Sequence, residues 1–198
     1  PAAGALAGND PLHDRTGGVL VAGAPQAQTG RGADLNGDHF VIGFAGSVSA
    51  RPQLDLLQQV LDRMNWRVAG RPVRLDLYGM RFVMEAQSGR TVLYHGYRSV
   101  EETVDRLAKT ADVLFMPQPF EERLRSFSEF SFPTKLSTYF AAQRPILLLS
   151  PPYSTLGDYI RKHPFGVWCS SMDVESLTES LTKLGSDTEL RQRAIGGI

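Results

Sequence analysis

The chain has 198 residues, and its 21 lysine and arginine residues are balanced by 21 aspartate and glutamate residues. Because a nucleic-acid groove needs an excess of basic side chains, this balance argues against nucleic acid as the main partner. Hydrophobic residues make up 42% of the sequence, enough for a packed core, and the lone Cys169 excludes an internal disulfide or a cysteine-cluster metal site.

The first 38 residues differ in composition from the rest. They hold 8 of the 19 glycines and no aromatic residue, so they lack the large side chains that form a core. We therefore predict a poorly ordered tail or linker over 1–38, in which Gly18–Ala24 could pair as a stray strand, and a folded domain over 39–198. The chain begins with Pro1, shows no signal-peptide pattern and has no apolar run near the roughly 20 residues of a membrane span. We expect it to be a piece of a longer protein.

From Phe40 onward, apolar runs of strand length alternate with amphipathic segments of helix length. The predicted strands are Phe40–Ala45, Val73–Tyr78, Val92–Tyr94, Asp112–Met116, Pro145–Leu149 and Gly166–Cys169. The predicted helices are Gln53–Met64, Val100–Lys109, Pro133–Gln143, Ser154–Lys162, Asp173–Leu184 and Asp187 to about Ile195. This alternation predicts an α/β fold, a doubly wound parallel sheet with helices on both faces. Ligands bind such sheets at the carboxyl ends of the strands, which directs attention to the loops that begin there.

The loop after the first predicted strand reads Gly46-Ser47-Val48-Ser49-Ala50-Arg51. Glycine permits a close backbone approach, the following helix presents free N–H groups, and Arg51 could grip a phosphate. The alternative is a tight turn at Gly46 with a solvated Arg51. The dinucleotide and P-loop fingerprints are both absent, so NAD or ATP binding by those devices is not supported.

A second candidate is Ser131-Phe132-Pro133-Thr134-Lys135-Leu136, in which Pro133 suits the first helical position. Lys135 then lies at the positive end of the helix dipole, where a cation is unfavourable unless an anion joins it. A diphosphate held by backbone N–H groups, the Thr134 hydroxyl and the Lys135 ammonium would satisfy that condition. The alternatives are that Lys135 points into solvent or pairs with Glu129.

Other residues point less clearly to chemistry. None of the four histidines shows a metal-ligand spacing, and Cys169 suits a buried apolar position. The mixed-charge run Glu121–Arg125 and the following Ser126–Phe130 predict an exposed loop that either closes over a ligand or is simply solvated. The nearby phenylalanines 127, 130 and 132 either pack under this loop or face a partner domain.

Several short motifs occur in a recognisable order. They are Gly46-Ser47 with Arg51, His95-Gly96-Tyr97, Ala111-Asp112-Val113 with Pro117, Phe132-Pro133-Thr134-Lys135-Leu136, Tyr139-Phe140-Ala141 and Arg144-Pro145-Ile146. In this order they resemble the C-terminal, donor-binding domain of GT-B fold glycosyltransferases, nearest to glycosyltransferase family 4 and similar cell-envelope polysaccharide enzymes. The resemblance covers about Phe40 to Ala194 and implies one Rossmann-like half of a GT-B fold.

The resemblance also implies an activity: metal-independent transfer of a sugar from a UDP- or GDP-sugar to an acceptor, usually with retention, without a cofactor. It implies a preceding acceptor-binding domain and a cytoplasmic location, with peripheral membrane association of the parent enzyme left open. Two cations, Arg51 and Lys135, would stabilise the leaving diphosphate and count as catalytic. The implied nucleotide-sugar-binding residues are Gly46, Ser47, Gly96, Tyr97, Ser131, Pro133, Thr134 and Thr138.

The chain departs from the family pattern at three positions. Thr138 occupies the place of a glutamate that commonly holds the ribose, Phe130 that of its paired glutamate, and Pro52 that of a frequent lysine. These departures keep open a second hypothesis, a non-catalytic nucleotide- or partner-binding module. A third, a sugar-nucleotide epimerase of the same fold, needs acidic and histidine residues in the cleft that the sequence does not identify.

Overall fold

The strands form one mostly parallel sheet in the computed structural model, which describes residues 38–46, 51–79 and 89–197. The strands are β1 Phe40–Gly46, β2 Arg67–Val68, β3 Arg71–Gly79, β4 Thr91–Gly96, β5 Val113–Pro117, β6 Ile146–Leu149 and β7 Gly166–Cys169. Parallel neighbours follow the order β4, β3, β1, β5, β6, β7, and the short β2 pairs antiparallel with the first residues of β3. The chain moves outward from β1 to β4 and then returns to build the other half from β5. The predicted doubly wound Rossmann-like sheet is confirmed.

Helices cover both faces of this sheet. They are α1 Arg51–Arg63, α2 Val100–Thr110, α3 Arg125–Phe130, α4 Lys135–Ala142, α5 Thr155–Lys162, α6 Val174–Ser186 and α7 Thr188–Gly196. One core packs α1 and α6 against the sheet, and a second packs α2, α4 and α5 against the opposite face. Within β5, Val113 and Phe115 enter the first core while Leu114 and Met116 enter the second. Because both faces are covered, strands β1, β5 and β6 are apolar throughout, whereas β3 also carries the buried polar residues Arg74 and Asp76.

Side-chain caps begin several of the helices where the sequence predicts them. The Ser99 hydroxyl accepts from the Glu102 amide at 3.1 Å, as the capping box requires. Asp173 accepts from the Ser176 amide at 2.8 Å and so begins α6. These local bonds satisfy helix N–H groups that have no partner inside the helix, which is why the sequence alone locates the helix starts.

Three expectations need comment. Glu121–Phe130, predicted as an exposed loop, forms a 3₁₀ turn over Glu122–Leu124 followed by α3, in which Arg125 and Glu129 make an i,i+4 ion pair. Helix α4 begins two residues after Pro133, because the Pro133 carbonyl first closes a turn with the Leu136 amide.

The predicted tail over 1–38, with its stray strand, lies outside the described residues apart from position 38 and stays a prediction. Within the described ranges, the structure contains no helix with the length and apolarity of a membrane span.

Gly166 gives a sharp test of the sheet register. A Cβ atom at this position would lie 1.9 Å from the Ile146 carbonyl oxygen of the neighbouring strand, a backbone atom that cannot turn aside. Gly166→Ala is expected to lower the free energy of unfolding by at least about 2 kcal/mol, measured by urea denaturation. Gly196→Ala is the matched control, because nothing lies within 4 Å of its added methyl group and the midpoint should not fall. An unchanged midpoint for Gly166→Ala would contradict this register.

Candidate functional site

A pocket of about 440 Å³ opens at the carboxyl ends of β1 and β3. Its walls come from these two strand ends, from the start of α2 with the loop before it, and from the first turn of α4. This is the edge at which parallel sheets bind ligands. The lining residues are Ala45, Gly46, Tyr78, Gly79, Tyr97, Arg98, Val100, Thr103, Thr134, Lys135, Ser137 and Thr138.

The floor of the pocket is backbone without side chains, because two glycines form it. Gly46 and Gly79 are register partners at the ends of β1 and β3, with φ angles of +131° and +107° that side chains disfavour. A Cβ atom on Gly79 would lie 2.6 Å from the Gly46 carbonyl oxygen. A ligand can therefore approach the chain closely at this point.

Lys135 reaches this floor from the first turn of α4. Its Nζ lies 4.6 Å from the centroid of the Phe44 ring and 3.0 Å from the point where a Cβ atom on Gly46 would stand. No described residue forms an ion pair with it, and Glu129 pairs with Arg125 at 3.1 Å instead. Burial lowers the pKa of Lys135 to about 8, because its charge is partly desolvated without a compensating anion.

The position of α4 is set by Tyr139, one turn after Lys135. Its buried hydroxyl donates to the Phe115 carbonyl at 3.0 Å and accepts from the Ala45 amide at 2.9 Å. The phenol therefore joins α4 to both β1 and β5, and burial raises its pKa. Tyr139 belongs to a motif of the family resemblance, but its spatial role was not predicted from the sequence.

Arg98 is a second cation in the pocket wall, and the sequence analysis missed it. Its guanidinium donates to the Tyr97 carbonyl at 3.1 Å and pairs with Glu102 at 3.3 Å. The available signal was its position directly between Tyr97, in a loop at the carboxyl end of a strand, and the capping residue Ser99. Half-exposed and already paired, Arg98 contributes less unbalanced charge than Lys135.

Five of the predicted site residues lie together in the pocket, in two groups. Gly46 and Tyr97 line it from the strand ends, and Thr134, Lys135 and Thr138 line it from α4. The structure thus brings together three segments that are far apart in the sequence, those of Gly46, of Tyr97 and of α4. These positions make the predicted roles geometrically compatible with one another.

Other predicted residues lie elsewhere. Within the described residues, Arg51 is absent from the pocket lining, and its guanidinium donates to Asp55 at 2.7 Å on an exposed turn of α1. Gly96 has φ +68° immediately before Tyr97, and the Ser131 hydroxyl donates to the Phe127 carbonyl. Pro133 is buried just before α4, whereas Ser47 lies outside the described residues. The binding roles of these residues stay predictions.

A second cavity, of about 360 Å³, shares the wall residue Tyr78 with the pocket. Here Arg74 donates to the buried Asp76 at 2.8 Å, and His95 Nε2 lies 3.5 Å from the same carboxylate. Burial raises the Asp76 pKa, but the His95 and Arg74 contacts outweigh it and leave that pKa low. Burial, assisted by Asp76, raises the pKa of Tyr78 to about 12, so the phenol remains a neutral hydrogen-bond donor beside the pocket.

The bridging role of Tyr139 can be measured through stability. Tyr139→Phe leaves the Ala45 amide and the Phe115 carbonyl without this partner and should lower the free energy of unfolding by about 1–3 kcal/mol. Tyr159→Phe is the control, because this half-buried tyrosine contacts its neighbours through its ring. Equal urea midpoints for the two variants would contradict the assigned bridge.

Solved structures with a similar fold are glycosyltransferases. The chain matches WaaG, a glycosyltransferase involved in lipopolysaccharide biosynthesis, with a TM-score of 0.56 and 17% identity over 82% of this chain and 42% of that one. It also matches the spinosyn forosaminyltransferase SpnP, with a TM-score of 0.50 and 12% identity over 80% of this chain and 38% of that one. No family model and no curated protein sequence matches. The chain spans less than half the length of WaaG and of SpnP. It shares with them the Rossmann-like α/β fold of one GT-B half.

Proposed function

We propose that the chain is the C-terminal, donor-binding domain of a glycosyltransferase and that its pocket holds the diphosphate of a nucleotide-sugar. The observation that carries this proposal is the Lys135 ammonium, which has no ion-pair partner among the described residues and faces the bare Gly46 backbone. An anionic ligand would balance the charge of this ammonium group. The similar fold of two glycosyltransferases supports the choice of a nucleotide-sugar.

Electrostatics favours a diphosphate in this position. The N-terminus of α4 carries partial positive charge from its free N–H groups, and the Lys135 ammonium adds a full charge beside it. Arg98 contributes a third donor group from the opposite wall. When the bond between the sugar and the diphosphate breaks, charge grows on the leaving phosphate, and donors already in place stabilise it. This half of the enzyme needs neither a nucleophile nor a metal ion for that task.

The remaining walls suit a nucleoside. Tyr97 is 74% exposed and offers an aromatic face to a base beside the pocket. Thr138 lines the pocket where the family resemblance expects a glutamate, so its hydroxyl would make a neutral, weaker bond to the ribose. The volume of about 440 Å³ lies within the range of small-molecule sites. These features support UDP or GDP without selecting between them.

We assign the binding site for the acceptor to another domain of the proposed enzyme. Both similar structures are more than twice as long as the part that this chain matches, which supports a second domain that binds the acceptor. By analogy with the role of WaaG in lipopolysaccharide biosynthesis, the proposed product is a cell-envelope polysaccharide, made in the cytoplasm with retention of configuration. Peripheral membrane association would then be a property of the parent enzyme.

The charge of Lys135 provides the first test, by calorimetric titration with UDP and GDP. Lys135→Met keeps the aliphatic stem over Phe44 but removes the charge, and it should weaken binding of the preferred nucleotide about tenfold or more. Because the free ammonium loses its proton near pH 8 and a bound diphosphate favours its charged form, wild-type affinity should fall between pH 7 and 9.5. The variant should lose this dependence.

Lys162→Met is the matched control, because Lys162 is an exposed lysine at the end of α5, distant in the chain from the pocket residues. It should leave both the affinity and its pH dependence unchanged. If wild-type protein binds neither nucleotide, or if Lys135→Met binds as tightly as wild type at pH 7, the proposed diphosphate site is wrong.

The position of Thr138 favours a second candidate, a non-catalytic nucleotide-binding module, because the expected ribose-holding carboxylate is missing from the pocket wall.

The transferase activity of the chain by itself tests the proposal that it is the donor-binding half of an enzyme. Incubation with UDP-glucose or GDP-mannose should release no nucleotide above the uncatalysed rate, since the proposed acceptor half is not supplied. Sugar transfer by this chain alone, followed by chromatography of the products, would show that the site is complete and overturn the assignment of half an active site.

A further inference from the structure

Helix α3 packs with its polar side inward. Its Ser128 is fully buried, and the Ser128 hydroxyl donates to the Pro119 carbonyl at 2.8 Å. Phe127 and Phe130, on its other side, are 50% and 77% exposed. An amphipathic surface helix normally places its apolar residues against the protein, so this arrangement is inverted.

Residues that contact α3, or that lie beside such residues in the chain, include polar atoms without hydrogen bonds. Gln118 is 0% exposed, and neither its amide nitrogen nor its amide oxygen has a partner among the described residues. The same holds for one carboxylate oxygen of Glu121 and for the Tyr153 hydroxyl. Gln118 directly precedes Pro119, whose carbonyl Ser128 contacts, and Glu121 follows it after Phe120. The centroid of the Tyr153 ring lies 4.3 Å from the Arg125 guanidinium of α3. The four atoms therefore belong to residues at or beside the contacts of α3.

Both features raise the free energy of the packed state. A buried polar atom without a partner loses its hydration and gains no bond in return. Exposed phenylalanines gain nothing from the packing of the helix that carries them. Among the described residues, few polar contacts hold the helix down: the Ser128 bond, the Arg125 contact with Tyr153, and the bond from the Thr155 hydroxyl to the Glu129 carbonyl.

We propose that Glu122–Phe130 is a cover that lifts as one unit from its contacts with Pro119, Tyr153 and Thr155 and gives water access to the polar atoms of Gln118, Glu121 and Tyr153. The cover ends four residues before Thr134, which lies in the wall of the ligand pocket. The inference does not depend on the proposed nucleotide site, because it rests on the inverted helix and the polar groups it covers. Its test needs no ligand.

Hydrogen exchange of the whole chain, followed by mass spectrometry, measures this opening directly. A short surface helix exchanges quickly in any case, so the informative quantity is the change caused by removing a buried polar group. Gln118→Leu, of similar size and without polar atoms, should stabilise the packed cover and slow exchange in 122–130 about tenfold. Exchange in α4 should not change.

Gln53→Leu is the matched control. Gln53 is also buried without a partner among the described residues, but it lies on α1, whose Leu54, Leu57 and Leu61 enter the first core. This substitution should leave exchange in 122–130 as it is in wild type. A second variant, Tyr153→Phe, removes the unpartnered hydroxyl while keeping the ring beside Arg125, and it should slow exchange in the same segment.

The proposal fails if Gln118→Leu and Tyr153→Phe leave exchange in 122–130 unchanged or faster, because the buried groups would then already be satisfied in the packed state. It also fails if Gln53→Leu slows that exchange equally, since the effect would then be one of global stability. Should Gln118→Leu not fold, Tyr153→Phe alone decides between these outcomes.

Discussion

The site depends on the hydrogen bonds that the Tyr139 hydroxyl makes where β1 and β5 separate. These strands are in register at Ile42 with Val113 and at Gly43 with Leu114, and beyond that point the phenol bridges them. The bridge satisfies two buried backbone groups that the diverging strands leave unpaired. Tyr139 lies in α4, one turn after Lys135. The hydrogen bonds that join β1 and β5 therefore also set the position of the Lys135 side chain.

A partly buried cation gives the pocket its character. Many charged side chains elsewhere lie in pairs, such as Arg106 with Glu102 and Lys109 with Asp105 on α2. Lys135 has no such partner among the described residues, and its lowered pKa records the free-energy cost of that isolation. A protein keeps such a group at a helix N-terminus where a ligand supplies the missing charge, which is the physical basis of the proposed nucleotide site.

Much of the fold follows from local rules, and those parts were predictable. Continuous apolar runs such as Phe40–Ala45 indicate strands covered on both faces, and Ser99 and Asp173 mark helix starts through their own side-chain bonds. The strand β2 was missed because two residues are too few to show a period. Helix α3 was missed because its apolar residues face outward, so the usual signal of a helix packed on a core is absent.

The sequence by itself determined the alternation of strands and helices, and it placed Gly46 directly after a strand and Lys135 in the first turn of a helix. Both facts depend on residues close together in the chain. Only the tertiary structure decided that these two residues meet, that Arg98 joins them in one pocket, and that Arg51 bonds to Asp55. The reason is physical. Which side chains share a cavity depends on how strands and helices distant in sequence pack together, and periodicity along the chain carries no information about that packing.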